Sequence, residues 1–210
     1  PDLLDHLHIS HASGSAVSLV EKQVSVLRER NIDMRHRLKT LTANARENDK
    51  LYEHTRALVV RLLDANSVAA LYQGFMDSMR KDFQAEYASM ILFGDQPTDQ
   101  GYRLDRRDNA KAEIGALLSG RKAVCGTLRK EEFNYLFPAS GKPTALGESQ
   151  PGSQGGSAAI MPLAGDQQLG LIAVGSSDPN RYHKAMGTLF LAHIADVIVR
   201  LLPRFSSGED

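Results

Sequence analysis

From Val17 onward the apolar positions advance in alternating steps of three and four. Val17, Val20, Val24 and Leu27 open the series, and Asn31, Met34, Leu38, Leu41, Ala45, Asn48 and Tyr52 continue it. This is a heptad repeat, with Val17, Val24, Asn31, Leu38, Ala45 and Tyr52 at position a and the others at d. Neither Pro nor Gly interrupts Ser15 to Asn66. A long helix with so narrow a stripe must bury it on another helix. A parallel homodimeric coiled coil does so through Val17, Val20, Val24, Leu27, Asn31, Met34, Leu38 and Leu41. Asn31 at an a position sets register and favours two strands. The flanking e and g positions Arg28, Arg30, Arg35 and Arg37 are all basic. Each exposed like-charge pair across the seam costs about a few tenths of a kcal/mol, less than the seam contributes. The alternative use of this basic stretch is to dock an acidic partner or nucleic acid.

The heptads fade near Asn48 and resume as a wider stripe, Leu58, Val59, Leu62 and Leu63, which predicts packing on a globular body. Asn66 or Ser67 caps a second helix running to Phe83, with Val68, Leu71, Tyr72, Phe75, Met76 and Met79 at helical spacing. Ala85–Phe93 reads as a strand, and Tyr102–Leu104 as a short second one. Asn109–Leu118 reads as a helix, Ala123–Gly126 as a short buried piece, and Arg129–Phe137 as a helix stopped by Pro138. Residues 139–156, rich in Gly, Ser and Pro, read as a surface loop. Ser157–Leu163 and Leu169–Gly175 form an antiparallel hairpin. In the second of these strands Leu169, Leu171 and Ala173 point one way, and Ile172 and Val174 the other. Apolar residues on both faces predict a central strand covered on both sides. A last helix runs from about Ala185 to Leu202, with His193 in its apolar row as a core or interface residue. Ahead of Val17, a short helix ends before a turn at Gly14. The predicted divisions are 1–16, a short helical segment; 17–64, the coiled-coil helix; 65–205, the globular domain; and 206–210, a polar tail. The fold class is α+β, an antiparallel sheet flanked by helices, because βαβ alternation is absent.

The charges change the picture only by subtraction. Lys plus Arg and Asp plus Glu both number 25, so no global field draws the chain to nucleic acid or to an acidic membrane. One cysteine, Cys125, permits no internal disulfide and suits a reducing cytoplasm. No apolar run is long enough to span a membrane, and no secretory signal is recognisable. The chain begins at Pro1 rather than Met, which leaves room for residues upstream. The segment GLIAVGSSDPNRY at Gly170–Tyr182 carries neither GK[ST] nor GxGxxG, so it is not a phosphate loop. His6, His8 and His11 lie close together, but no companion ligands complete a metal set at a recognised spacing. HExxH, GxSxG, CxxC and Walker sequences are absent, and Asp95, Asp99, Asp105 and Asp108 have no diagnostic spacing. The expectation is a protein without catalytic activity.

Five stretches carry a resemblance. They are GSAVSLVEKQVSVLRERN at Gly14–Asn31, ARENDKLYEHTRAL at Ala45–Leu58, CGTLRKEEFNYLFP at Cys125–Pro138, SAAIMPL at Ser157–Leu163, and LGLIAVGSSDPNRYHKAMGTLFLAHIADVI at Leu169–Ile198. Together they resemble the DUF484 family, which is similar to GAF domains. The resemblance implies a GAF-like sheet with a pocket on one face, preceded by a coiled coil, and no particular reaction. On that pattern Met90, Leu92, Cys125, Leu128, Phe133, Phe137 and Met161 are pocket candidates or simply core, with Arg106, Arg107 and Asp108 at the rim. The Asn-Lys-Phe-Asp-Glu constellation of cyclic-nucleotide GAF domains is not found in order here. Cys125 is followed by Gly126, where bilin-binding GAF domains have Cys-His. No cofactor is identified. The implied function is a dimeric sensor that binds a small molecule and acts through a protein partner. The alternative is a structural adaptor that recruits a protein or nucleic acid through its Arg-rich helix and takes no ligand.

Overall fold

A computed structural model describes residues 13–95, 101–118, 120–138, 155–165, 167–183 and 188–206. The chain divides into two compact units, Pro1–Asp49 and Lys50–Asp210. Helix α1, Ser13–Leu63, supplies residues to both. It includes Gly14, where a turn was expected. One Gly near a helix end costs about 1 kcal/mol, too little to stop a helix this long.

In the first unit α1 is the only described element, and its apolar seam lies in solvent. Val20, Val24, Leu27, Met34, Leu38 and Leu41 are all exposed, Leu27 by 62% and Leu41 by 64%. Asn31 is exposed beside them, and the side chain of Val17 lies outside those described. Arg37 pairs with Asp33 one turn back at 2.9 Å. The Thr40 and Thr42 hydroxyls donate to the carbonyls of His36 and Leu38. The expected short helix before Val17, with its three histidines, lies outside the described residues, as do the Ala139–Gln154 loop and residues 207–210.

The second unit is built on a five-stranded sheet in the order β2-β1-β5-β4-β3. The strands are β1, Tyr87–Phe93; β2, Leu104–Asp105; β3, Val124–Thr127; β4, Ser157–Ala164; and β5, Gln168–Ser176. The four longer strands pair antiparallel, as the hairpin spacing predicts. The edge differs: β2 pairs parallel to β1 over only two residues. The chain leaves the end of β1 and returns beside it running the same way, an arrangement that spacing alone does not reveal.

Helices α2, Val68–Lys81, and α5, Leu189–Ser206, cover one face together with the end of α1. The Ser67 hydroxyl caps α2 by accepting from Ala70 N at 3.1 Å. Leu58 and Leu62 of α1 are fully buried in this core, whereas Leu63 is exposed, so the buried stripe is narrower than expected. His54, Phe83 and Phe190 form a ladder of ring contacts linking α1, the α2 terminus and α5. His193 is exposed rather than buried, because α5 turns Leu191, Ile194, Ala195 and Ile198 toward the sheet instead. Pro203 lies in the last turn of α5, where it cannot supply the N–H that other residues donate along the helix.

Two short helices cover the other face: α3, Arg107–Ile114, continued by a 3-10 turn at Gly115–Leu117, and α4, Lys130–Leu136. The Glu132 carboxylate reaches back to the Arg129 N–H at 2.9 Å and to its guanidinium at 3.0 Å, which secures the start of α4. Leu128 N donates to Gly156 O at 2.8 Å and ties α4 to the start of β4. The Phe133 and Phe137 rings then lie directly on backbone. A Cβ at Gly175 would meet the Phe137 ring at 2.6 Å, and one at Gly156 would meet Phe133 at 2.6 Å. The two rings and Tyr87 form a mutual aromatic cluster with centroids 4.9–5.6 Å apart. Leu169 departs from expectation by packing with the helix-side core, apart from Leu171. The register shift at Leu163/Ala164 breaks the alternation there.

Two outcomes follow from this packing. Gly175→Ala is expected to cost about 1–3 kcal/mol in urea unfolding through overpacking against Phe137, with partial recovery in the Gly175→Ala/Phe137→Leu double variant. The second concerns Glu86, which accepts from Ser176 Oγ at 2.8 Å and Ser177 N at 3.0 Å, joining the start of β1 to the end of β5. Desolvation acts to raise its carboxyl, but the bonds from Ser177 and Ser176 and the charge of Arg181 outweigh it and hold the group below the usual carboxylate range. A carboxyl held low in the folded state adds stability above its unfolded value, and this is lost as pH falls through the folded value. Glu86→Gln is therefore expected to flatten the acid limb of thermal stability below the ordinary glutamate range, read by melting curves from neutral to acid pH.

Candidate functional site

The strand period divides the expected pocket residues between two sides of the sheet. Ala88, Met90 and Leu92 face the helix-covered core, with Cys125 and Met161. Tyr87 and Ile91 face α3 and α4, with Leu128, Phe133 and Phe137. All seven candidates are buried, but only Leu128, Phe133 and Phe137 share one cluster, and Met90, Leu92, Cys125 and Met161 share the other. The Cys125 thiol is pushed up by burial, which keeps it protonated and unreactive at neutral pH.

The α3–α4 face combines small and aromatic residues. Its floor is made of small residues: Ser89 pairs with Ala173 on β5, and Gly126 with Ala158 across β3 and β4. Ile91, Ile160 and Leu171 border them, and the Phe133 and Phe137 rings lie above. Ser89 is fully buried, and its Oγ has no hydrogen-bond partner among the described residues.

A polar cluster stands at the β1–β2 edge of this floor, and motif reading did not single it out. Arg103 O accepts from Leu92 N at 3.0 Å, and Leu92 pairs with Leu104, so Arg103 lies beside Ile91. Its guanidinium stacks over the Tyr135 ring at 4.8 Å and donates from Nη1 to Leu136 O at 3.3 Å. The Tyr135 hydroxyl donates to Asp105 Oδ2 at 2.8 Å. Burial, the Asp105 hydrogen bond and the Asp105 charge hold the Tyr135 phenol well above its ordinary value. Asp105 also accepts from Arg106 N at 2.7 Å and from Asn109 Nδ2 at 3.0 and 3.1 Å. On the helix side, Tyr72 is fully buried with its hydroxyl unpartnered among the described residues, and its ring packs 6.5 Å from that of Tyr102. Desolvation pushes its phenol up to about 12, against a lowering influence from Arg103. Two sequence signals were present: Ser89 is a lone polar residue in an apolar strand, and Arg103 directly precedes the Leu104–Asp105 strand.

Beyond that edge the expected rim residues Arg106, Arg107 and Asp108 line an open cleft of about 550 Å³ with Phe93, Gly94, Asp95 and Gln168. Arg107 reaches Gln168 Oε1 at 3.5 Å. Of the four loop aspartates, Asp105 is engaged as described, Asp95 and Asp108 are exposed, and Asp99 lies outside the described residues. Among the described residues no group of three or more His, Cys, Asp or Glu is placed to hold a metal, and no helix is long and apolar enough to cross a membrane.

Comparison with known proteins agrees with this architecture. The GAF domain of the Acinetobacter phosphoenolpyruvate-protein phosphotransferase superposes with a TM-score of 0.50 at 9% identity, covering 76% of this chain and 96% of that one. At that identity the likeness concerns the fold alone, which is GAF-like. The uncharacterized protein YigA of Salmonella typhimurium is 27% identical over 206 residues, 96% of this chain and 83% of its own length. The profile described as "Protein of unknown function, DUF484" matches residues 1–207, and the chain, with its GAF-like domain and preceding long helix, belongs to that family.

Proposed function

We propose that this chain is a dimeric, non-catalytic regulatory module of the cytoplasm. It binds a small molecule in its GAF-like domain and acts through a protein partner. One observation carries the reading. Helix α1 holds an unburied heptad seam from Val20 to Leu41, and the same helix places Leu58 and Leu62 in the domain core. The seam matches a second copy of itself, with Asn31 able to pair across a parallel two-stranded interface. A change in core packing then has a continuous helix along which to bias that interface. The small-residue floor under α4, with its unpartnered Ser89 hydroxyl, supports the ligand part of the proposal.

The adaptor reading draws on a different observation. Phe133 and Phe137 already cover the floor, and the exposed Arg28, Arg30 and Arg35 have no ion-pair partner among the described residues. Native mass spectrometry of the full chain purified without added ligand separates the two. The sensor reading expects a dimer carrying a defined extra mass, and the adaptor reading expects a bare dimer whose partner binding weakens on neutralising these arginines. The dimer itself is tested by Leu27→Asp/Leu38→Asp. Sedimentation equilibrium is expected to change from dimer to monomer mass, while the melting transition of the domain, whose core begins beyond Lys50, stays within a few degrees. A parent protein that sediments as a monomer at micromolar concentration would overturn the proposal.

A further inference from the structure

We propose that the β1–β2 edge is the recognition end of the ligand site and selects a small organic acid, with the carboxylate on Arg103 and the Ser89 hydroxyl and an apolar body along the small-residue floor toward Phe133 and Phe137. This inference rests on the small-molecule reading above and names its chemical class.

Two polar groups at this edge have capacity left over. A guanidinium offers five N–H donors in a planar fork. Among the described residues Arg103 uses one, toward Leu136 O, and no carboxylate lies within ion-pair distance of it. Asp105, the acid next to it on the same strand edge, is already engaged by Tyr135, Asn109 and the Arg106 N–H. The second group is the Ser89 hydroxyl. By the strand period Ser89 faces the same side as Ile91, and Arg103 lies beside Ile91 on the neighbouring strand, so the two are diagonal neighbours on one face.

Buried hydroxyls without partners are uncommon in folded proteins, and each asks for an explanation. The Ser89 hydroxyl, beside an arginine with spare donors, is explained by an acceptor that is not part of this chain. A carboxylate is the simplest such acceptor. It is planar, takes a bidentate fork from arginine, and leaves lone pairs for a hydroxyl donor. A phosphate ester would bring about twice the charge, with a single arginine to balance it. The rest of the face is apolar and aromatic, built from Tyr87, Ile91, Phe133, Phe137 and Leu171, which suits a flat hydrocarbon body. A Cβ added at Gly126 would meet no described atom within 4 Å, so the floor is open there beside Ala158.

The test uses the full chain, benzoate as the probe and benzamide as its neutral isostere. In amide NMR titrations benzoate is expected to move the Ser89, Arg103 and Phe133 signals and to bind at least about tenfold more tightly than benzamide, as loss of a charge-assisted pair requires. Ser89→Ala is expected to raise the melting temperature of the free protein yet weaken benzoate severalfold, a combination that a merely unsatisfied core serine would not give. Arg103→Lys, which keeps the charge but loses the fork, is expected to fold and to bind about tenfold more weakly. Equal affinity for benzoate and benzamide, unchanged benzoate affinity in both variants, or inorganic phosphate competing at the same signals would each overturn the proposal. Native mass spectrometry of the untreated protein separates its failure from that of the broader reading. A retained neutral or basic compound would overturn the organic-acid class and leave the sensor standing. No retained compound together with no benzoate binding would overturn both.

Discussion

Strand β5 is buried on both faces, and the domain is organised around that constraint. Ile172 and Val174 belong to the core beneath α1, α2 and α5, and Leu171 and Ala173 belong to the core beneath α3 and α4. A strand with no polar side must lie centrally, with neighbours to satisfy its backbone on both edges and a layer on each face. β1 and β4 provide the neighbours. The layers differ in kind. One is made of long amphipathic helices. The other is made of short ones, whose aromatic side chains reach down to glycine backbone at Gly156 and Gly175.

That asymmetry distinguishes the two faces. The helix-covered side is thick and includes Leu58 and Leu62 of α1 in its core. The α3–α4 side is thin. Its floor is small, its cover is two phenylalanines, and its β1–β2 edge is polar. A face covered by two short helices can repack at lower cost than one covered by longer ones. This is the physical reason that the proposed ligand site is placed on that side.

Much of the architecture was legible before any coordinates, for identifiable reasons. The Ser67 cap, the β4–β5 hairpin and the doubly apolar β5 are local signals, each set by a few adjacent residues. The candidate site was only partly legible. Seven buried apolar residues could be named, but a side chain's face depends on strand register, and the sheet separates Met90, Leu92, Cys125 and Met161 from Leu128, Phe133 and Phe137. Ser89 looked unremarkable in its strand, because a hydroxyl becomes informative only when its lack of a partner is known. Arg103 was overlooked for a related reason. Its setting depends on Tyr135 and Leu136, more than thirty residues further along the chain.

The sequence by itself determined the periodicities: a heptad helix seeking a partner, an amphipathic capped α2, and strands with the parity of an antiparallel sheet. These follow from side-chain spacing of 3.5, 3.6 and 2 along a continuous chain. Only the tertiary structure decided the parallel edge strand, the exposure of His193, the departure of Leu169 from its strand's parity, and the placing of Ser89 and Arg103 on one face. Those features depend on which distant segments the chain brings together, and pairing across tens of residues leaves no periodic trace in the residues that pair.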